Sequence, residues 1–123
     1  MPASSSRSLR FSSWLGASGA LCAAAAVALS AYASHAVAGT AQSQLQTAAL
    51  FAFGHGVALA ALSHDSVRRL ARIVLVMLLS GVLLFSGSLV MHVLAQWPST
   101  LAPFGGTLLI AGWIVYAIER LRH

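Results

Sequence analysis

The chain has 123 residues, of which 59% are hydrophobic and only 7% are charged, whereas about 25% of the residues of a typical soluble domain are charged. So few charged groups cannot solvate the surface of a soluble domain of this size, and most of the chain must therefore lie in lipid. The net charge of +5 does not indicate nucleic-acid binding, because the seven arginines are divided among three short stretches between long apolar runs.

Four long apolar runs are each close to the roughly 20 residues that a helix needs to cross a bilayer. The linkers between them are short, so consecutive helices should be antiparallel neighbours. The sequence therefore predicts one all-α transmembrane domain over residues 12–118, a four-helix bundle with up-down-up-down topology. The predicted spans are 12–33, 44–62, 70–95 and 101–118, flanked by a disordered cytoplasmic tail over residues 1–11 and a second cytoplasmic tail over 119–123.

All seven arginines lie on one side of this four-span arrangement: before the first span, between the second and third, and after the fourth. The two loops on the opposite side carry no charged residue. Because cytoplasmic loops are enriched in Lys and Arg, this distribution predicts that both termini and the central loop are cytoplasmic.

The first apolar run also has the outline of a secretory signal peptide. Arg7 and Arg10 precede it, and the small residues 36–38 before Gly39 would suit a cleavage site. The run is about 20 residues long, however, whereas the apolar region of a signal peptide has about 7 to 15 residues. The length favours a retained helix, with cleavage as the alternative.

Small residues recur at helical spacing in the predicted spans. Such stripes let two helix backbones approach closely, which favours helix association in lipid. They would serve packing within the chain, and would equally permit contact with a second copy or another membrane protein. The predicted packing positions are Gly19 and Ala23 in the first span, Ala48, Ala52, Gly56 and Ala60 in the second, Gly87 in the third, and Gly105, Gly106 and Gly112 in the fourth.

No residues form a recognisable catalytic or cofactor-binding set. Asp65 and Glu119 are the only carboxylates and lie beside arginines at predicted span ends, which excludes paired acid-base chemistry inside the membrane. Cys22 is the only cysteine, which excludes an intramolecular disulfide and a cysteine zinc site. We therefore expect no enzymatic activity, no cofactor and no metal.

Three histidines fall within or at the ends of the predicted spans. His35 and His92 approach the external face, where we expect them to hydrogen-bond to loop carbonyls, since two histidines are too few for a zinc site. His55 lies about 11 residues into the second span, near the bilayer midplane. A neutral imidazole there needs partners inside the bundle, so we expect a bond to Ser86, to Ser88 or to a backbone carbonyl. This predicts a structural polar clasp, with a proton or solute pathway as the alternative.

Several short segments resemble the domain-of-unknown-function 423 family of small bacterial inner-membrane proteins. The more specific ones are LFSGSL at residues 84–89, APFGG at 102–106 and AGW at 111–113. Earlier in the chain, AYASHA at 31–36 and FGH at 53–55 are similar to two histidine-containing segments of that family. The resemblance implies a multi-pass protein of the bacterial inner membrane, and it brings no established activity or cofactor.

Two functions remain as hypotheses. The first is a non-enzymatic membrane protein that acts through helix packing, or through association with itself or another membrane protein. The second is a small-solute or ion permeation protein, in which His55, the serine hydroxyls and Gln42, Gln44 and Gln46 line a polar path. Four helices rarely enclose a pore, so this second function would require an oligomer.

Overall fold

A computed structural model describes residues 2–65 and 69–122 of the chain. Over these residues the fold is entirely helical. In chain order the elements are α1 (Pro2–Ala36), α2 (Gly39–Leu62), a short 3-10 turn (Ser63–Asp65), α3 (Arg69–Ala95) and α4 (Ala102–Leu121).

Each of the four helices is long and apolar enough to cross a membrane. Their apolar stretches have 28, 24, 27 and 20 residues, against the roughly 20 residues that span a hydrocarbon core about 30 Å thick. Much of their apolar surface is exposed: Leu21, Leu50, Phe104 and Ile110, for example, are each more than 60% exposed. The prediction of an all-helical protein with four helices of membrane length is confirmed.

The helices extend beyond the predicted spans. Residues 2–11 are helical where a disordered tail was predicted, because Pro2 stands at the helix start, where proline is tolerated, and no glycine or proline follows before Gly16. The first turns of α2 contain polar residues that counting apolar runs had assigned to the loop. The last turn of α4 includes residues 119–121 of the predicted second tail. Residues 1, 66–68 and 123, which belong to the predicted tails and central loop, lie outside the described residues.

The first two helices form a tight hairpin around two glycines. A Cβ atom on Gly19 would lie 2.5 Å from the carbonyl oxygen of Gly56, and a Cβ atom on Gly56 would lie 2.5 Å from the carbonyl oxygen of Gly19. Nearer the ends of the hairpin, Gly16 lies against Ser63, and Ser30 bonds to Gln46. Residue numbers rise along α1 as they fall along α2, so these two helices pack in opposite directions.

The last two helices form a second hairpin of the same kind. Gly105 packs against the backbone of Phe85 and of Gly81, and a Cβ atom on Gly105 would lie 2.7 Å from the Gly81 carbonyl oxygen. About two turns further along α4, Gly112 lies against Leu78. The chain reverses after α3 at Gln96, whose φ of 60° is left-handed. The Trp97 amide then donates to the Met91 carbonyl at 3.3 Å, which ties the loop back to the helix.

The two hairpins join through α2 and α3, with α1 outside α2 and α4 outside α3. Between them lies a core of aliphatic side chains from all four helices: Leu15, Leu59, Val74, Leu75, Leu78, Val82 and Leu109. Within the described residues, the backbone of α4 approaches neither α1 nor α2. The arrangement is a row of helices with α3 partly uncovered, where the sequence predicted a compact bundle.

Candidate functional site

His55 is held by hydrogen bonds on both of its ring nitrogens. The indole Nε1–H of Trp113 donates to Nε2 at 3.0 Å, and Nδ1 lies 2.8 Å from the carbonyl oxygen of Phe51. An indole N–H can only donate, so Nε2 is the acceptor and Nδ1 carries the proton that bonds to the Phe51 carbonyl. The imidazole is therefore neutral in this arrangement, and no ring nitrogen is left for a second ligand.

The partners of His55 differ in part from the prediction. Of the partners expected from the sequence, which were Ser86, Ser88 or a backbone carbonyl, only the carbonyl is correct. No hydrogen bond within the described residues joins His55 to either serine. The depth of His55 also differs from the prediction, because α2 begins at Gly39. At a rise of 1.5 Å per residue, His55 lies about 7 Å from the middle of α2, toward the helix end nearest the arginines.

Aromatic side chains continue from His55 in both directions. Phe51 stacks on the imidazole with ring centroids 5.9 Å apart, and contacts Phe85 of α3 at 4.6 Å. Trp113 meets Tyr116 edge to face at 5.9 Å. These rings connect α2 to α4 by side chains alone, across the gap that separates their backbones.

The three residues of the serine-glycine-serine segment of α3 lie in different environments. Ser86 is buried, and its hydroxyl donates to the Ala48 carbonyl of α2 at 2.8 Å. The Ser88 hydroxyl is buried and lacks a hydrogen-bond partner among the described residues. A Cβ atom on Gly87 would meet nothing within 4 Å, so Gly87 does not pack against a neighbouring helix of this chain. His55, Ser86 and Ser88 do not form one site.

Most of the other predicted packing residues lie between helices. Ala48 is fully buried, Gly56 lies against Gly19 and Ala23, and Gly105 and Gly112 face α3. Ala52 packs against the core, and the Ala60 amide nitrogen borders Gly19. Gly106 borders only the Phe85 ring, at 3.7 Å from a Cβ atom placed on it, which leaves room for a side chain.

A polar cluster joins α1 to α2; its glutamines were expected to line a polar path, and their partners on α1 were not predicted. Gln46 accepts from the Ser30 hydroxyl at 2.8 Å, and its amide nitrogen lies 2.8 Å from the Ser34 hydroxyl and 3.2 Å from the Ser30 carbonyl. Gln42 donates to the Ala33 carbonyl at 3.1 Å. The signal was the four-residue spacing of Ser30 with Ser34 and of Gln42 with Gln46, which puts each pair on one helix face.

A lateral groove of about 500 Å³ lies beside this polar cluster. We call it the α1–α2 groove; its lining includes Val27, Ser30, Ala31, Ser34, His35, Gln46 and Phe53. It carries neutral polar groups and apolar groups together, and no Asp, Glu, Lys or Arg lines it.

Two further histidines, His35 and His92, lie toward the helix ends that are remote from the arginines. His92 Nδ1 bonds to the Trp97 carbonyl at 2.8 Å, the type of loop partner predicted for it. His35 is exposed and borders the α1–α2 groove. No group of three His, Cys, Asp or Glu side chains that could hold a metal ion occurs in the part of the chain that the structure describes.

The family comparison covers more than half of the chain. A family model described as "Protein of unknown function (DUF423)" matches residues 29–106, from the last two turns of α1 to the first turn of α4. The match includes the polar cluster, His55, the Ser86 bond and all the short segments except AGW at 111–113, and it confirms the resemblance to this family. No curated protein and no solved structure matches the chain.

Proposed function

The chain belongs to the DUF423 family, and from that premise we propose that it is a non-enzymatic, multi-pass membrane protein that binds a second copy of itself. The α1–α2 groove is the contact surface. In the membrane the four helices run up-down-up-down with both termini cytoplasmic, and the membrane is the bacterial inner membrane.

The position of the arginines supports this orientation. Arg7 and Arg10 lie in the first turns of α1, Arg69 and Arg72 begin α3, and Arg120 and Arg122 lie at the end of α4. Contacts such as Gly16 with Ser63 bring these helix ends to one end of the molecule. Cytoplasmic segments carry an excess of Arg and Lys, so this end faces the cytoplasm.

The chemistry of the groove is the observation that carries the proposal. Hydroxyl and amide groups of Ser30, Ser34 and Gln46 border it within the apolar helices, where lipid tails offer no hydrogen bonds. Beyond their bonds to one another, the Ser34 hydroxyl still has its proton to donate and the Ser30 hydroxyl oxygen can still accept, so the same surface on a second copy is complementary to it. No Asp, Glu, Lys or Arg lines the groove, so two copies bring no carboxylate, ammonium or guanidinium groups together there. Ala31, with its small side chain, permits close approach.

The internal bonding of the polar side chains favours association over permeation. Both nitrogens of His55 are occupied, the Ser86 hydroxyl bonds to Ala48, and Gln46 bonds to α1. These bonded groups lie between different helix pairs and do not line one continuous path. The polar path of the permeation hypothesis, formed by an oligomer, would need these groups free and facing one common surface.

Disulfide cross-linking in native membranes tests the proposal. In a Cys22→Ala background, Ala31→Cys puts a thiol in the groove, and Ala25→Cys puts one on an exposed face about 120° away around α1. In a dimer with two-fold symmetry, a residue that lies close to the symmetry axis is near the same residue of the second copy. We expect mild oxidation to give a covalent dimer from Ala31→Cys and little or none from Ala25→Cys.

Three other results would overturn the proposal. The first is the absence of a dimer from Ala31→Cys, and the second is equal dimer yield from both variants. The third is cross-linking of Ala31→Cys to a different protein, which would place another partner in the groove. Solute or ion flux in vesicles containing the protein, above that of empty vesicles, would favour the permeation function instead.

A further inference from the structure

A second groove lies on the uncovered side of α3, near the arginine-bearing end. Its floor consists of Arg69, Arg72, Val76 and Ser80 of α3, and Phe11 of α1 and Leu108 of α4 stand at its sides. We call it the basic groove; its volume is about 500 Å³. It exists because α1 and α4 do not meet over α3. It shares no residue with the α1–α2 groove.

The two arginines of this groove carry unused hydrogen-bonding capacity. Arg69 and Arg72 are three residues apart, so their side chains share one helix face. The Arg72 Nε atom is buried and has no hydrogen-bond partner among the described residues. Guanidinium groups bind phosphate through paired N–H donors. A phosphate in the groove would supply the hydrogen-bond acceptor that Arg72 Nε lacks in the described part of the chain.

The apolar part of the groove extends from the arginines into the membrane. From Arg69 to Ser80 the helix rises about 16 Å, close to half of a hydrocarbon core about 30 Å thick. Ile73, Val76 and Leu108 line this length, and Ser80 ends it. A cationic head region that continues into an apolar channel one leaflet long matches a lipid with an anionic headgroup.

We propose that the basic groove binds an anionic diacyl phospholipid of the cytoplasmic leaflet. Its phosphate lies between the guanidinium groups of Arg69 and Arg72, and one acyl chain lies along Ile73, Val76 and Leu108. The lipid covers the part of α3 that the row of helices leaves open. This site is independent of the proposed self-association.

Native mass spectrometry of the full chain in detergent tests this site. We expect phosphatidylglycerol to remain bound at protein-to-lipid ratios where phosphatidylcholine does not. Replacing both groove arginines (Arg69→Gln with Arg72→Gln) should lower the apparent affinity for phosphatidylglycerol roughly tenfold or more. The matched control, Arg120→Gln with Arg122→Gln, removes two charges at the same end of the molecule and should leave binding within about twofold of the parent.

A second pair of variants tests the acyl-chain channel while all arginines remain. Val76→Trp fills the groove and should lower phosphatidylglycerol binding, whereas Leu83→Trp, on an exposed part of α3 outside the groove, should not. Inorganic phosphate at matched concentration should bind weakly, because it lacks the acyl chain.

Four results would overturn the proposal: equal binding of the two lipids, equal losses from the two arginine pairs, no effect of Val76→Trp, or phosphate binding as strong as that of the lipid. The tryptophan pair decides the question if the arginine variants fail to fold.

Discussion

At the scale of single residues, His55 shows how a titratable side chain is accommodated within an apolar helix. Its Nδ1–H bonds to the carbonyl four residues earlier, and its Nε2 accepts from Trp113. An unsatisfied polar group within lipid costs several kcal/mol, so the two bonds together remove the penalty. The bond to Trp113 also links α2 to α4, whose backbones lie apart. We therefore expect His55 to act as a structural clasp between two helices.

A double-mutant cycle tests this clasp. His55→Leu and Trp113→Phe should each lower the free energy of unfolding, and their coupling energy should be about 0.5 to 1.5 kcal/mol, the range of hydrogen bonds between membrane helices. His55→Gln, which keeps a donor and an acceptor, should lose less stability than His55→Leu. Denaturant titration in detergent micelles gives all these values. A coupling energy of zero would show that the bond does not stabilise the protein.

The sequence predicted the need of His55 for partners but did not identify Trp113. Hydropathy and helical spacing show that a histidine lies deep in an apolar run, and physical chemistry then requires a donor and an acceptor. Which side chain meets it depends on the register of α2 against α4, which no local pattern encodes. In the sequence, Trp113 stood out only as part of the AGW segment at residues 111–113.

At the scale of helices, the tight contacts within each hairpin depend on glycines that face the neighbouring helix. Gly19 and Gly56 bring α1 and α2 together, and Gly81 and Gly105 do the same for α3 and α4. Gly54 and Gly87 lie in the same helices but face open space. Spacing alone predicted the stripe that contains Gly56. It could not exclude Gly87, because a small residue looks the same in the sequence whichever way its helix is rotated.

Alanine substitutions separate these two kinds of glycine in the first hairpin. In Gly56→Ala the new methyl group would meet the Gly19 carbonyl, so we expect a loss of about 1 to 3 kcal/mol of stability, typical of overpacking. Gly54→Ala adds the same methyl group in open space, so its stability should be unchanged or slightly higher. Thermal unfolding in detergent compares the pair. Equal stability of the two variants would remove Gly56 from the helix contact.

The second hairpin offers the same comparison on α3 and α4. Gly105→Ala should destabilise the protein by about 1 to 3 kcal/mol, since its Cβ would meet the backbone of Phe85. Gly87→Ala should be tolerated. If Gly87→Ala proved the more damaging change, the rotation of α3 described above would be incorrect.

The first helix is bonded to the second along most of its length, from Gly16 near Ser63 to Ala33 near Gln42. Cleavage before Gly39 would remove the partner of Gly56 and of Gln46 and leave both exposed to lipid. We therefore expect the helix to be retained. The intact mass of protein extracted from membranes decides the matter, and a mature species that begins at Gly39 would mean that the signal-peptide alternative is correct.

At the scale of the whole molecule, composition and charge predicted more of the fold than helical spacing did. The deficit of charged residues predicted lipid as the solvent, and the length of the apolar runs predicted four helices. The open row of helices was not predicted, because short linkers specify only which helices are neighbours in the chain. Whether α1 closes against α4 depends on packing between residues far apart in sequence. The basic groove follows from that packing.

The central claim is that this row of helices crosses the membrane four times with its arginine-bearing end in the cytoplasm. Labelling of single cysteines with a membrane-impermeant maleimide, in a Cys22→Ala background, tests it most directly. Cysteines at Gly39 and Ser99 should react in intact cells, whereas cysteines at Ser66 and at His123 should react only after the membrane is opened. Labelling of the Ser66 or His123 variant in intact cells would contradict the four-span arrangement.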